Sequence, residues 1–204
     1  MPAAEPETTA PQLYLVTPQG AQAEVFAPLL GEVLARFPVA CLRIRGSDDE
    51  AALGRMADMV RELGHAHDVA VVIEDRWGMA ERHGLDGVHL TGGARLVREA
   101  RKVLGPDAIV GASCGASRHA GMTAAEAGAD YVSFGPVGGA GVADTAPHDL
   151  FQWWSEMIEV PVVAEGGFDA ALLGQLAPVA DFIALGREIW AAPDPVEALG
   201  RLWR

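Results

Sequence analysis

Residues 161–167 read PVVAEGG, a short apolar run that ends in a glutamate and two glycines. Seven comparable runs occur elsewhere in the chain, and most are continuous rather than alternating, which is typical of strands buried on both faces. The eight runs cover residues 13–16, 39–44, 69–73, 87–90, 108–112, 131–134, 161–164 and 182–185. They predict eight strands of a parallel sheet.

Longer amphipathic stretches separate these runs. Phe26, Leu30 and Val33, for example, recur at helical spacing and predict one apolar helix face. Eight strand–helix units in this length leave roughly 24 residues per unit, close to the minimum for a (β/α)8 barrel. A doubly wound open sheet is the alternative, but no G-x-G-x-x-G motif follows the first strand. We therefore predict a single (β/α)8 TIM barrel, an α/β fold, over residues 12–204, preceded by a flexible tail at residues 1–11.

The amino-acid composition indicates which kinds of binding partner are expected. The 204 residues carry 15 Lys or Arg and 28 Asp or Glu, which gives a formal net charge of −13. Such a chain is not expected to bind nucleic acid, although a local basic pocket can still attract a small anion. The two cysteines are too few for a disulfide framework and fit a reducing cytoplasm. Neither a membrane span nor a signal peptide is expected. The sequence leaves open whether the protein forms a homo-oligomer.

Active sites of this fold lie at the carboxyl ends of the strands, and phosphate is often held after strands 7 and 8. The polar residues and glycines at those ends are therefore the candidates. They are Arg43, Arg45, Glu74, Asp75, Ser113, Gly135, Gly166, Gly167, Gly186 and Arg187. Glycine lets the backbone approach a phosphate, and the start of the next helix offers free N–H groups. The turns at residues 166–167 and 186 thus predict phosphate binding.

The charged residues at the ends of strands 2 and 3 have two possible interpretations. Arg43 and Arg45 lie two positions apart and point to the same face, next to the acidic pair at residues 74–75. Arginine forks match phosphate oxygens, and carboxylates suit a hard divalent cation, so an anion-plus-metal site is one reading. A structural salt bridge between these residues is the other. We expect His89 to be a buried, hydrogen-bonded histidine and Cys114 to be a buried, inert thiol.

Four segments, in chain order, form a recognisable pattern: residues 12–17 (QLYLVT), 86–90 (DGVHL), 126–136 (EAGADYVSFGP) and 161–168 (PVVAEGGF). They resemble motifs of the thiamine phosphate synthase family, which has the thiazole tautomerases as close relatives. The resemblance implies a transferase that joins a hydroxymethylpyrimidine diphosphate to a thiazole phosphate, with magnesium assisting the departure of diphosphate. Small phosphorylated pyrimidine and thiazole substrates are then the expected partners.

The resemblance also implies roles for the candidate residues. Arg43, Arg45 and Ser113 are expected to be catalytic. Asp75 matches a magnesium ligand of the family, and we expect Glu74 to join it as a second carboxylate and substrate contact. The remaining predicted substrate-binding residues are Gly135, Gly166, Gly167, Gly186 and Arg187.

The chain also departs from the family pattern. The second magnesium aspartate of the family aligns with Ala94, and the loop at residues 137–143 lacks the usual threonines and lysine. The histidine of the tautomerases after the strand-5 serine is absent, and Gly115 stands nearest. Two alternatives therefore accompany the synthase prediction. One is an impaired paralogue that binds a phosphate ligand or regulates a partner, and the other is a thiazole tautomerase-like enzyme.

Overall fold

Eight parallel strands close into a barrel in chain order in the computed structural model, which describes residues 10–139 and 144–203. The strands are β1 (Gln12–Val16), β2 (Val39–Ile44), β3 (Ala70–Glu74), β4 (Gly87–Leu90), β5 (Ile109–Ser113), β6 (Tyr131–Phe134), β7 (Val162–Glu165) and β8 (Phe182–Leu185). Each predicted run lies within one residue of an observed strand, and the predicted (β/α)8 barrel is confirmed. Most of the predicted tail, residues 1–9, lies outside the described residues.

Helices connect the strands and cover the outside of the barrel. They are α1 (Ala23–Arg36), α2 (Glu50–His65), α3 (Trp77–His83), α4 (Val97–Leu104), α5 (Arg118–Glu126), α6 (His148–Met157), α7 (Ala170–Leu176), α8 (Arg187–Trp190) and α9 (Pro195–Leu202), with a 3-10 turn at Gly93–Leu96. Aspartate or serine side chains cap four of them by accepting a backbone N–H bond in the first turn: Asp49, Ser117, Asp169 and Asp194. None of the described helices is long and apolar enough to cross a membrane.

Two separate layers fill the molecule. The outward strand residues, such as Leu13 and Leu15, pack against the helices in one large apolar core. The alternate residues point into the barrel, because successive side chains of a strand face opposite sides. This smaller interior cluster consists of Tyr14, Val16, Cys41, Val72, Tyr131, Val163 and Ala184.

One glycine decides how the interior is filled. Gly111 pairs in register with Tyr131 of the next strand. A Cβ at residue 111 would lie 2.0 Å from Cζ of the Tyr131 ring. Only glycine therefore leaves room for this ring inside the barrel, where its hydroxyl meets other polar groups.

Candidate active site

A buried arginine lies inside the barrel, near the carboxyl ends of the strands. Arg43 of β2 is 7% exposed. Its Nη1 donates to Oε2 of Glu165 at 2.7 Å and to Nε2 of His89 at 2.9 Å. Its Nε lies 3.2 Å from Oε1 of Glu74, which is an ion-pair distance without hydrogen-bond alignment. The guanidinium is thus fixed by three strands other than its own.

The charge balance keeps this guanidinium ionised. Burial by itself lowers the pKa of Arg43, but the negative charge of Glu165 and the other facing groups raises it above its ordinary value. Both neighbouring carboxylates are shielded from solvent, with side-chain exposures of 13% for Glu74 and 20% for Glu165. The structure therefore contains the salt bridge between Arg43 and Glu74 that was one of the two interpretations of the sequence.

His89 extends the network into the barrel and is neutral there. It is 1% exposed, and burial, with the adjacent charge of Arg43, holds its pKa well below the usual range. Because Arg43 can only donate, Nε2 of His89 is the acceptor and its Nδ1 carries the proton. Nδ1 then donates to the hydroxyl of Tyr131 at 2.9 Å, and that hydroxyl lies 2.9 Å from the hydroxyl of Tyr14. The expectation of a buried, hydrogen-bonded histidine is confirmed.

We call this connected set the interior polar cluster. Its members are Tyr14, Arg43, Glu74, His89, Tyr131 and Glu165. Tyr14, Tyr131 and Glu165 are not among the ten site residues predicted from the sequence. The alternation of side chains along a strand could have identified them, because it puts them on the inner face of the barrel together with Arg43 and His89.

A cavity of about 750 Å³ opens above this cluster at the carboxyl ends of the strands. It collects eight of the ten predicted residues: Arg43, Arg45, Ser113, Gly135, Gly166, Gly167, Gly186 and Arg187. Within the described residues, Arg45 and Arg187 form no ion pair, in contrast to Arg43. Glu74 and Asp75 do not line the cavity. The roles assigned to all ten residues stay predictions.

The turn after β7 depends on its glycines. Gly166 and Gly167 have φ angles of +81° and +83°, a region that side chains rarely adopt. A Cβ at Gly167 would lie 2.0 Å from the carbonyl oxygen of Gly138 in the strand-6 loop. The two loops thus touch backbone to backbone beside the cavity. Part of the strand-6 loop, residues 140–143, lies outside the described residues.

One carboxylate holds the backbone donors of the two glycine turns. Oε1 of Glu188 accepts the N–H of Gly167 at 2.6 Å and that of Phe168 at 3.3 Å. Its Oε2 accepts the N–H of Gly186 at 2.9 Å. We call these three N–H groups the N–H cradle. Glu188 is not among the predicted site residues, although its position two residues after Gly186 puts it in the first turn that follows β8.

The two acidic residues at the end of β3, Glu74 and Asp75, have different hydrogen-bond partners. Glu74 accepts the N–H of Gly46 through Oε2 at 3.0 Å and faces Arg43 through Oε1. Asp75 has a φ of +54° and accepts both the N–H of Thr91, at 2.8 Å, and the Thr91 hydroxyl. Within the described residues, no group of three or more His, Cys, Asp or Glu side chains is placed to hold a metal ion.

Cys114 is buried, as expected for an inert thiol. It is 6% exposed. Burial, followed by the charge of Glu165, raises its pKa to about 12. Its sulfur donates to the carbonyl of Ala112. The thiolate form needed for nucleophilic chemistry is therefore scarce at neutral pH.

The fold and the cavity define a (β/α)8 barrel with an arginine- and glycine-lined site at the carboxyl ends of its strands. Residues 13–189 match the family described as thiamine monophosphate synthase. The chain belongs to this family. It is 44% identical over 190 residues to a thiamine-phosphate synthase of Rhodospirillum centenum, with 89% of this chain and 90% of the relative covered. A thiamine-phosphate synthase of Erythrobacter litoralis is 39% identical, with 74% of each chain covered.

The predicted enzyme class, a thiamine phosphate synthase-type transferase, is confirmed by these relatives, and they do not favour the two alternatives. Solved structures agree on the fold. A thiamine phosphate pyrophosphorylase from Pyrococcus furiosus superposes with a TM-score of 0.81 at 24% identity, covering 94% of this chain and 93% of the other. A 3-hexulose-6-phosphate synthase superposes with a TM-score of 0.69 at 18% identity, covering 94% and 97%.

Proposed function

We propose that the chain joins a hydroxymethylpyrimidine diphosphate to a thiazole phosphate in the cavity at the barrel mouth. The observation that carries this proposal is the convergence of three arginines and the β7 and β8 glycine turns on one cavity. In the reaction, the bond from the pyrimidine methylene carbon to the diphosphate oxygen breaks. A bond from the thiazole nitrogen to that carbon forms, so no proton has to move. The protein then has to bind, orient and neutralise charge.

Arg45 and Arg187 are the residues proposed to bind diphosphate. Both line the cavity and form no ion pair within the part of the chain that is described. Guanidinium groups match pairs of phosphate oxygens, and their charge stabilises the negative charge that develops on a departing diphosphate. Ser113 also lines the cavity, at the end of β5, and is proposed to offer its hydroxyl to diphosphate oxygens.

Arg43 has a different proposed role, because its charge is already balanced. It contacts Glu74 and Glu165, and it lines the part of the cavity next to the barrel interior. We expect it to present a fixed positive edge to the leaving diphosphate oxygen, on which negative charge develops. Glu74 is then a positioning residue that holds the guanidinium, since both of its carboxylate oxygens have protein partners.

Asp75 lies at the same end of the barrel, next to but not within the cavity lining, and is the carboxylate we propose to hold magnesium. Glu74, predicted as a second ligand, has both oxygens engaged by Gly46 and Arg43. Magnesium keeps several waters and often takes only one or two carboxylates together with substrate phosphates. Each oxygen of Asp75 accepts one bond from Thr91 and retains a second lone pair. The hydrogen bonds from Thr91 orient the carboxylate, as partners behind a metal ligand commonly do. When bound, the ion would neutralise the diphosphate leaving group.

A turnover assay with both substrates, with and without magnesium, tests this function. We expect product only with magnesium present, and Asp75→Asn to weaken magnesium-dependent diphosphate binding about tenfold or more, since a lost charge contact is worth at least ~1.4 kcal/mol. Asp68→Asn is the matched control, because Asp68 also has a positive φ, of 58°, but is exposed and follows α2, far from the cavity. A wild type that forms no product from these substrates would refute the proposal.

Ala94→Asp separates a weakened enzyme from a complete one. Ala94 lies in the 3-10 turn after β4, where the family has its second magnesium aspartate. If Asp75 is the single carboxylate ligand, an added aspartate is expected to raise magnesium affinity and turnover at low magnesium. Equal magnesium dependence of the wild type and this variant would show that residue 94 does not reach the ion.

A further inference from the structure

Only one of the two carboxylate oxygens of Glu165 has a partner in the protein. Oε2 accepts a hydrogen bond from Nη1 of Arg43 at 2.7 Å. Oε1 accepts no hydrogen bond from residues 10–139 or 144–203, and unlike Nε of Arg43 it is not a fully buried atom. Glu165 also lines the cavity at the barrel mouth. The second oxygen is therefore an acceptor that a ligand in this cavity can reach.

Glu74, the other carboxylate beside Arg43, differs in this respect. Its Oε2 accepts the N–H of Gly46, its Oε1 faces Arg43, and its side chain does not line the cavity. An ion pair with Arg43 thus needs no unoccupied oxygen next to the cavity. The contact with Arg43 accounts for one oxygen of Glu165 and fixes the position of the other.

The pair of Arg43 and Glu165 lies deeper in the barrel than the residues proposed to bind diphosphate. Arg45 follows β2 two residues beyond Arg43, which is about 6.6 Å further along the strand direction, and Arg187 follows β8. A ligand with a ring at one end and a diphosphate at the other would therefore direct its ring toward Arg43 and Glu165. Because Arg43 balances the charge of Glu165, Oε1 offers the ring a hydrogen-bond acceptor rather than a net negative charge.

We propose that Glu165 is a specificity-determining residue for the pyrimidine substrate, and that its Oε1 accepts a hydrogen bond from an amino group on the ring. A carboxylate oxygen can only accept, and the ring nitrogens of a neutral pyrimidine also accept, so the donor has to be a substituent of the ring. A ring without such a donor would displace water from Oε1 and leave it unpaired, which costs affinity. This inference rests on the proposed function and refines the class of its first substrate to an aminopyrimidine.

Glu165→Gln is expected to turn this acceptor into a donor. Arg43 can only donate, so the amide oxygen of the glutamine has to take the place of Oε2 beside Nη1. The NH2 group of the glutamine then faces the cavity, where an amino group of the ligand would meet a second donor. A methyl group at the same position of the ring forms no hydrogen bond with either side chain, so its contact changes little.

Calorimetric titration with two ligands, in the absence of the thiazole substrate, tests this assignment. The ligands are an aminopyrimidine diphosphate and the same compound with a methyl group in place of the amino group. We expect the wild type to bind the amino compound at least about tenfold more tightly, because only this compound gives the carboxylate a hydrogen bond. In Glu165→Gln we expect the ratio of the two affinities to fall to about one.

Glu74→Gln is the matched control. It also removes a carboxylate charge beside Arg43, but it removes no unoccupied oxygen at the cavity. Any loss of affinity in this variant is expected to be equal for the two ligands, so that their ratio stays at the wild-type value. A melting curve of each variant verifies that it is folded. Glu165→Asp withdraws the oxygens by one methylene, is also expected to lower the ratio, and replaces the glutamine variant if that variant does not fold.

Three results overturn the inference and leave the proposed function intact. They are a wild-type ratio of about one, a ratio that the folded Glu165 variants retain, and a ratio that falls equally in Glu165→Gln and Glu74→Gln. Failure of the wild type to form product from the aminopyrimidine diphosphate and thiazole phosphate refutes the proposed function instead. The ratio of the two affinities still decides the role of Glu165 in that case, because it needs no turnover.

Discussion

The interior polar cluster and the N–H cradle lie under and beside the same cavity, but they are held in different ways. In the cluster, every bond of Arg43 goes to a buried or half-buried side chain on another strand. In the cradle, the donors are backbone N–H groups, and one side chain satisfies them all. The first arrangement fixes a charge inside the barrel, whereas the second joins the turns after β7 and β8 through a single side chain.

This difference has a physical origin. A charge inside a barrel cannot be rehydrated, so its partners have to be present in the folded protein at all times. The N–H groups at a loop can bind water, a side chain or a ligand at similar cost, because they lie at the edge of the cavity. We therefore expect changes in the cluster to affect the stability of the whole protein, and changes in the cradle to affect mainly the turn.

Arg43→Met is expected to have the largest effect. It leaves the carboxylates of Glu74 and Glu165 without their counter-charge, and breaking a buried pair in this way costs about 3 kcal/mol or more of unfolding free energy. Urea unfolding measures the loss. Arg36→Met is the control, since Arg36 pairs with Glu32 at 2.8 Å on an exposed face of α1, where such pairs contribute about 0.5 kcal/mol or less. Equal losses in the two variants would contradict the contrast between buried and exposed charge.

Gly167→Ala is expected to have a smaller effect, which is confined to the cradle side. Residue 167 has a φ of +83°, and a Cβ there would lie 2.0 Å from the carbonyl oxygen of Gly138. Strain of this kind costs about 2 kcal/mol. Gly174→Ala is the matched control, because a Cβ at Gly174 in α7 meets nothing within 4 Å. That variant should be stabilised by roughly 0.5–1 kcal/mol, and a similar loss in both would show that the turn is not special.

His89 is expected to give a smaller but distinct dependence of stability on pH. Its pKa in the folded protein is well below the ordinary value of 6.5. Below pH 6.5 the unfolded chain therefore binds a proton that the folded chain does not, and stability falls as the pH decreases. Lowering the pH from about 7.5 to about 5.5 should remove about 1.4 kcal/mol of unfolding free energy through this group.

His89→Gln separates this contribution from those of other groups. The amide of glutamine can accept a bond and donate one without binding a proton in this range. The difference in pH dependence between the wild type and the variant is then the histidine term. Parallel stability curves over this pH interval would show that His89 is not held neutral by the interior polar cluster.

Much of the fold was predictable from local sequence. The continuous apolar runs identified all eight strands, because a strand covered on both faces needs an apolar side chain at nearly every position. The barrel followed from the regular alternation of strands and helices. The cavity residues Arg45, Gly166 and Arg187 were predictable for the same reason, since strand ends meet at one face of a barrel.

The sequence by itself therefore determined the barrel, the face on which the site lies, and the family motifs of strands 4, 6 and 7. Only the tertiary structure decided the pairing of the polar groups: Arg43 with Glu165, His89 with Tyr131, and Glu188 with the N–H cradle. The reason is that such pairs join residues far apart in the chain, or on different loops. Their distances depend on how strands and loops are arranged around the closed barrel, which no local pattern of apolar residues records.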